Sequence, residues 1–262
     1  MTRFEDLYTE ADTFLHRLDP RVKMASVLML SLLAIIMSAL TYLLVLLTFI
    51  FVLLLLARSS YRKTAFAMKF VLRFMALIAI LWPLFDPSGT PVLIRLGPVV
   101  ITEPGIWRGL ASAARVGCLA TVWYILIFTT SQRDLVRGLV KLGLRFDFGL
   151  ALAIALRYFP TFGTVMDSII DAQRSRGMEF EKGNIFVRAR KYVAVLGPAI
   201  VSALKTADML ALALQSRAYG ARRNRTYLRE LNMRPSDYVA LVAALAMFIV
   251  PAIAKYAFSI PI

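Results

Sequence analysis

The feature that most limits the fold of this chain is a run of 34 residues, 24–57, without a single Asp, Glu, Lys or Arg. About 20 helical residues cross the hydrocarbon core of a bilayer, so the run is too long for one span. Its only polar interruption is Ser38 to Thr41. We therefore predict a helical hairpin, with one transmembrane helix over about Met24–Ala39 and a second over about Leu43–Ala57.

Three further apolar segments predict transmembrane helices, over Phe70–Phe85, about Ile106–Thr130 and Tyr238–Ala254. Arg115 lies deep in the fourth segment, where a charged side chain is expected to face protein rather than lipid. A Pro- and Gly-rich stretch before it contains the strand-like run Pro98–Thr102, which predicts a small external hairpin or loop. The fold class predicted is an all-α, polytopic membrane protein with about five transmembrane helices.

Composition and charge predict how the chain lies in the membrane. The protein is 59% hydrophobic and carries a net charge of +15, which is typical of a membrane protein with a basic cytoplasmic side or of a nucleic-acid binder. The long uncharged runs favour the membrane protein. Segments 1–23, 58–73 and 132–234 hold 27 of the 31 Lys and Arg residues. The positive-inside rule then predicts a multi-pass protein of the cell membrane, with a cytoplasmic N-terminus and middle region and an external C-terminus.

We predict three regions along the chain. Residues 1–130 form an N-terminal bundle of four spans, residues 131–235 a cytoplasmic region of long amphipathic helices, and residues 236–262 a last transmembrane helix. In the middle region one helix ends at Gly177 and a second is predicted to start near Pro198, with a charged connection over Glu179–Lys191. Apolar residues recur at helical spacing on one face of each helix, including Val165, Ile169, Leu204, Ala207, Ala211 and Leu214.

The two long helices end in similar short motifs, Gln173-Arg174-Ser175-Arg176-Gly177 and Gln215-Ser216-Arg217-Ala218. A cation in the last turn of a helix stabilises the helix dipole by roughly 0.3–1 kcal/mol, and a basic amphipathic helix also lies readily on anionic lipid. Duplication favours a functional reading, in which two guanidinium groups pair with acidic grooves of a partner. Arg suits such bidentate pairing with carboxylates better than Lys. Both readings stay open on the pattern alone.

Three motifs together resemble a known family, the transmembrane (T) component of energy-coupling factor transporters, which are ABC-type importers of vitamins and of nickel or cobalt. The motifs are Leu15-His16-Arg17-Leu18-Asp19-Pro20-Arg21-Val22-Lys23, Ala155-Leu156-Arg157-Tyr158-Phe159-Pro160 and the pair of Arg-containing helix ends. In that family each coupling helix ends in an Ala-Arg-Gly-like triplet. Here the triplets are Ser175-Arg176-Gly177 and Ser216-Arg217-Ala218, so Ser replaces Ala twice and Ala218 stands where Gly is usual.

The resemblance implies the partners and the mechanism. Arg176 and Arg217 would each dock into one of two cytoplasmic ATPase subunits, whose ATP-driven motion would pass through the coupling helices to a small substrate-binding membrane subunit. The apolar faces would then form the docking surface for that subunit, although from sequence they fit an internal core equally well. The residues concerned are Val165, Ile169, Leu204, Ala207, Ala211 and Leu214. The chain itself would be a non-catalytic subunit of a transporter for a vitamin or a metal ion.

The motifs of catalysis and cofactor binding do not occur in the sequence. It contains no Walker A motif and no HExxH, and His16 is the only histidine, so we predict no catalytic, metal or cofactor site. Asp19 is expected to cap the helix that Pro20 begins. The alternatives considered are a conventional ABC importer permease, an intramembrane enzyme that uses His16 and an aspartate, and a membrane scaffold.

Overall fold

A computed structural model of the protein describes residues 13–57, 61–86, 90–96, 99–221 and 233–258. Within these ranges the chain is almost entirely helical and has one two-stranded hairpin, and five of its helices are long and apolar enough to cross a membrane. The predicted fold class is confirmed. The elements are α1 (Phe14–Arg17), α2 (Pro20–Ile36), α3 (Leu40–Leu56), α4 (Tyr61–Phe85), β1 (Val92–Leu96), β2 (Val99–Thr102), α5 (Glu103–Thr129), α6 (Gln132–Lys141), α7 (Phe146–Ser175), α8 (Ile185–Ser216) and α9 (Pro235–Phe258).

The chain divides into two compact units. The first comprises Met1–Leu144 and Leu231–Ile262, and the second comprises Arg145–Glu230. In the first unit α5 packs against α2, α3 and α4, while α2 also packs against α6 and α9. Both α6 and α9 thus belong to the first unit, whereas the regions predicted from sequence grouped α6 with the amphipathic helices and set α9 apart.

The uncharged run folds into the predicted helical hairpin, as α2 and α3 with a short connection at residues 37–39. The first helix begins at Pro20, and the carboxylate of Asp19 caps it by accepting a hydrogen bond from the backbone N–H of Arg21 at 2.9 Å. Large side chains from both helices and from α5 form the core of the unit, among them Leu33, Met37, Leu43, Leu46, Ile50 and Phe128. The caps and the apolar spacing therefore place this hairpin at the centre of the first unit.

The C-terminal end of α2 is closed by two cations from neighbouring helices. The last carbonyls of a helix have no partner within it, and in an apolar surrounding they have no water to bond either. Arg115 of α5 donates from Nε to Ala34 O at 3.1 Å and from Nη2 to Met37 O at 3.0 Å. Lys255 of α9 donates from Nζ to Ile36 O. Arg115 thus faces protein, as predicted, and both cations also complement the dipole of α2.

The N-terminal end of α2 is held by a buried polar cluster. The carboxylate of Asp237, which is only 1% exposed, accepts hydrogen bonds from the backbone N–H of Asp19 at 3.0 Å and of Arg234 at 2.7 Å. Lys23 Nζ donates to His16 O at 3.1 Å and to Thr129 O at 2.9 Å. One carboxylate and one ammonium group therefore join the start of α2 to the end of α5 and the start of α9.

The predicted small hairpin before α5 is also present. Strands β1 and β2 pair antiparallel, and Thr102 at the end of β2 caps α5 by accepting a hydrogen bond from Gly105 N at 3.2 Å. In α5, Arg108 pairs with Asp86 at 2.6 Å, just after the end of α4. These contacts fix the start of α5, the helix around which α2, α3 and α4 pack.

The helices of 18 or more residues that are apolar enough to cross a membrane include three of the five that the sequence predicted. By length and composition they are α4, α5, α7, α8 and α9, whereas α3 is a shorter apolar helix and α2 has 17 residues as well. By length and composition α7 and α8 therefore also qualify, although they were not among the spans predicted from sequence and charged residues such as Arg157 and Lys205 lie within them. The cytoplasmic placement of residues 131–235 rests on charge and stays a prediction.

The start of α8 is also earlier than predicted. The helix begins at Ile185 rather than near Pro198, and Asn184 caps it by accepting a hydrogen bond from Ile185 N at 2.7 Å. Proline is unfavourable inside a helix because it lacks an N–H, and this led the sequence pattern to place the start at Pro198. Arg188, Arg190 and Lys191 therefore lie in the first turns of α8, while the rest of the predicted connection, Glu179 to Asn184, precedes the helix.

We expect that Arg115→Met destabilises the protein. The variant keeps a long side chain but removes the two N–H donors, Nε and Nη2, that Arg115 supplies to the end of α2. Two buried carbonyls without partners should lower the free energy of unfolding by about 1–3 kcal/mol. The measurement is the midpoint of thermal unfolding of purified protein in detergent micelles. Lys69→Met removes an exposed cation of α4 and should leave the midpoint unchanged. Equal midpoints for the two variants would contradict the capping role of Arg115.

Candidate functional site

The end of α7 forms a Schellman motif around Arg176. Arg176 is the C-terminal cap, and Gly177 follows with a φ of +88°. The N–H of Gly177 bonds Arg174 O at 2.9 Å and that of Met178 bonds Gln173 O at 3.1 Å, which are the two hydrogen bonds of this motif. Glycine adopts a positive φ without steric penalty, so the residue after Arg176 ends the helix and fixes where the Arg176 side chain leaves it.

The end of α8 has the same geometry with alanine in place of glycine. Arg217 is the cap, and Ala218 N bonds Gln215 O at 2.9 Å while Tyr219 N bonds Leu214 O at 3.0 Å. Ala218 has a φ of +57°, the one positive φ of a non-glycine residue in the described chain. This left-handed conformation costs a residue with a Cβ roughly 1–2 kcal/mol. Ala218 in place of glycine therefore keeps the same backbone geometry at the end of α8 but makes it strained.

The side chains of Arg176 and Arg217 are exposed, and neither makes a hydrogen bond or an ion pair within the described part of the chain. Their neighbour Arg174 differs, because it pairs with Asp171 at 3.4 Å and approaches Glu181 at 3.9 Å. The two matched cap positions thus present five guanidinium N–H donors each to solvent or to a partner.

The two serines of the triplets bond to their own helices. Ser175 Oγ donates to Asp171 O at 3.1 Å, and Ser216 Oγ donates to Ala213 O at 3.0 Å. Such back-bonding occupies the hydroxyl hydrogen. Ser175 and Ser216 therefore serve as small residues beside each Arg, with their hydroxyls directed along the helix.

Helices α7 and α8 run antiparallel and touch near both ends. Gln173, near the end of α7, donates from Nε2 to Ala194 O in the first third of α8 at 3.4 Å. Tyr219, just after α8, donates from Oη to the Asp147 carboxylate at the start of α7 at 2.7 Å. The helix between Ala194 and Arg217 is about 35 Å long. Arg176 and Arg217 therefore lie at opposite ends of this helix pair.

The contact of Gln173 has a specific cause in the sequence. A helical N–H bonds the carbonyl four residues earlier, and Pro198 has no N–H, so the carbonyl of Ala194 loses its partner within α8. The side-chain amide of Gln173 donates the hydrogen bond that the carbonyl of Ala194 lacks within α8. The proline that misled the prediction of the helix start thus creates the acceptor that joins α8 to α7.

The six residues predicted as a docking surface divide into two groups. Leu204, Ala207 and Ala211 are exposed, and the Leu204 side chain is 61% accessible. Val165, Ile169 and Leu214 are half-buried. The exposed group continues toward the start of α8 on the same helix face, since further large apolar residues follow at intervals of three or four, namely Ile200, Leu196 and Val193.

Sequence reasoning missed the roles of Gln173 and Tyr219. A signal for Gln173 existed in the repeated Gln of the two helix ends together with a proline four residues after Ala194. Tyr219 had no such signal, because its partners Phe146 and Asp147 lie more than 70 positions away in the chain. These two residues hold the ends of the helix pair, while the two Arg side chains remain available.

Known proteins are similar to this chain over most of its length. The family model of the cobalt transport protein CbiQ matches residues 11–228. Three relatives carry the name energy-coupling factor transporter transmembrane protein EcfT. The relative from Listeria innocua is 32% identical over 249 residues, which are 90% of this chain and 92% of the relative. The relative from Heliobacterium modesticaldum is 31% identical over 250 residues, 92% and 93% of the two chains.

The third relative, from Staphylococcus aureus, is 30% identical over 261 residues, 95% of this chain and 96% of the relative. All three alignments cover nearly the full length of both proteins, so they include the hairpin of α2 and α3 as well as both Arg-containing helix ends. The chain belongs to the CbiQ and EcfT family, the transmembrane components of energy-coupling factor transporters.

Proposed function

We propose that this protein is the coupling subunit of an importer in which Arg176 and Arg217 each dock into one of two cytoplasmic ATPase subunits. The observation that carries the proposal is the matched pair of cap positions, with the same Schellman hydrogen bonds and exposed guanidinium groups that pair with none of the described residues. A guanidinium group binds a carboxylate through two parallel hydrogen bonds, so an acidic groove on each ATPase is the complementary surface.

The placement of the two Arg residues supports a partner with two separate sites. They lie at opposite ends of the antiparallel α7–α8 pair, about 35 Å apart along the helix. A single small groove cannot take both, whereas two ATPase subunits side by side offer one groove each. When ATP binding and hydrolysis move the ATPases relative to one another, each end of the pair follows its own subunit. The helices carry that displacement because their hydrogen bonds make them stiff along the axis.

We further propose that the exposed apolar face of α8 is the docking surface for a small substrate-binding membrane subunit. Ile200, Leu204, Ala207 and Ala211 share this face, and the small alanines allow another helix to approach closely. Val165, Ile169 and Leu214 are half-buried. The cargo is a vitamin or a transition-metal ion held by that other subunit, and the chain described here adds no catalytic step of its own.

The orientation proposed for the protein follows from the same partners. The ATPases are cytoplasmic, so both Arg-containing helix ends and the basic segments lie in the cytoplasm, which requires the antiparallel α7 and α8 to stay on that side of the bilayer. Membership of the energy-coupling factor family favours this function over a conventional ABC permease, an intramembrane enzyme or a scaffold.

We expect Arg176→Glu and Arg217→Glu each to weaken binding of the ATPase subunits, and the double variant to abolish it. A carboxylate in place of the guanidinium meets the acidic groove with like charge and removes the bidentate hydrogen bonds. The measurement is recovery of the ATPase subunits with the tagged full-length chain from detergent-solubilised membranes. Lys205→Glu, an exposed site on α8 away from the caps, makes the same change in charge and should leave recovery normal. Normal recovery with the double variant would refute the docking role.

We expect Ala207→Trp to block the substrate-binding subunit and to leave the ATPases bound. The indole fills the space that the small side chain leaves for a neighbouring helix, so the apolar faces can no longer meet. The measurement is the ratio of the two kinds of partner in the purified complex, together with uptake of the cargo. Ala213→Trp is the matched control, since Ala213 is an exposed alanine on another face of the same helix. Equal loss of the substrate-binding subunit in both variants would argue against a docking surface at this face.

A further inference from the structure

The end of α8 has a strained backbone that the end of α7 lacks. Both ends need a left-handed residue directly after the Arg, and α7 supplies Gly177, which adopts it freely. In α8 the same position is Ala218, whose Cβ disfavours a φ of +57°. Strained residues of this kind persist only where surrounding contacts hold them in place. The contacts that hold Ala218 must therefore come from its neighbours.

Tyr219, the next residue, supplies such contacts. Its hydroxyl donates to Asp147 Oδ1 at 2.7 Å, and its ring stacks on Phe146 with the centroids 6.4 Å apart. A hydrogen bond from a hydroxyl to a charged carboxylate is stronger than one between neutral groups. Asp147 lies in the first turn of α7, and its other carboxylate oxygen is 3.9 Å from Nη2 of Arg145. The end of α8 is thus tied to the start of α7 one residue beyond the strained alanine.

We propose that Tyr219 and Asp147 are positioning residues for Arg217. Their hydrogen bond holds Ala218 in the left-handed conformation, and this conformation directs the Arg217 side chain away from the helix pair toward the ATPase. Arg176 needs no such support, because Gly177 ends its helix without strain. The inference rests on the proposed function, in which Arg217 contacts an ATPase subunit.

The test is a titration of the full-length chain in lipid nanodiscs with its ATPase subunits, which gives an apparent Kd for each variant. Tyr219→Phe keeps the ring but removes the hydroxyl, and we expect the apparent Kd to rise about fivefold, as the loss of one hydrogen bond would produce. Tyr219→Phe combined with Ala218→Gly should return to within about twofold of the unchanged protein, because glycine needs nothing to hold a positive φ. A merely structural role for the hydroxyl would give no such rescue.

Two further variants complete the experiment. Tyr192→Phe removes a hydroxyl from an exposed tyrosine of α8 that packs on Phe180, and binding should not change. Gly177→Ala places a Cβ on the left-handed residue at the end of α7. The next residue there is Met178, so no tyrosine is present to hold the strained conformation. A Cβ at Gly177 meets no atom within 4 Å, so the expected several-fold rise in Kd has a backbone cause alone.

The outcomes separate the two proposals. If Arg217→Glu binds the ATPases normally, the proposed function fails and the positioning role fails with it. If Arg217→Glu weakens binding but Tyr219→Phe does not, only the positioning role is overturned. The same holds if Tyr219→Phe weakens binding and Ala218→Gly does not restore it, since strain at Ala218 would then not be the cause.

Discussion

The first unit depends on the need of backbone carbonyls for hydrogen-bond donors in an apolar layer. Met37 at the end of α2 is buried, and the last carbonyls of a helix have no partner within it. Arg115 and Lys255 supply the missing donors. Because these cations come from α5 and α9, the same bonds that satisfy the end of α2 also hold three helices together. The cluster of Asp237 and Lys23 does the same at the start of α2.

The second unit shows how one local motif is supported in two ways. Both Arg residues close a helix through the same pair of backbone hydrogen bonds. Glycine makes that ending intrinsically favourable in α7, whereas the alanine of α8 requires contacts from elsewhere. Gln173 and Tyr219 provide the ties between the helices, one to a carbonyl freed by proline and the other to a carboxylate. The positions of the two guanidinium groups therefore depend on the packing of α7 against α8 as well as on their own helix ends.

The exposed apolar surface of the chain fits a protein whose outer helices meet other molecules. Large apolar side chains are exposed along α4, α8 and α9. All three helices have the length and composition of membrane spans, so this surface suits an apolar surrounding. On α8 the small residues between the large ones suit another helix better.

The sequence by itself determined the helical fold class, the hairpin of α2 and α3, the cap at Asp19, the inward-facing Arg115 and the two Arg-containing helix ends. These follow from local rules, because length, apolarity, caps and helical spacing act over a few residues. Only the tertiary structure decided the earlier start of α8, the antiparallel pairing of α7 and α8, and the division of the six predicted docking residues into exposed and half-buried groups. It also decided the ties of Gln173 to Ala194 and of Tyr219 to Asp147. Each of these joins residues far apart in the chain, and no local pattern records which distant donor and acceptor will meet.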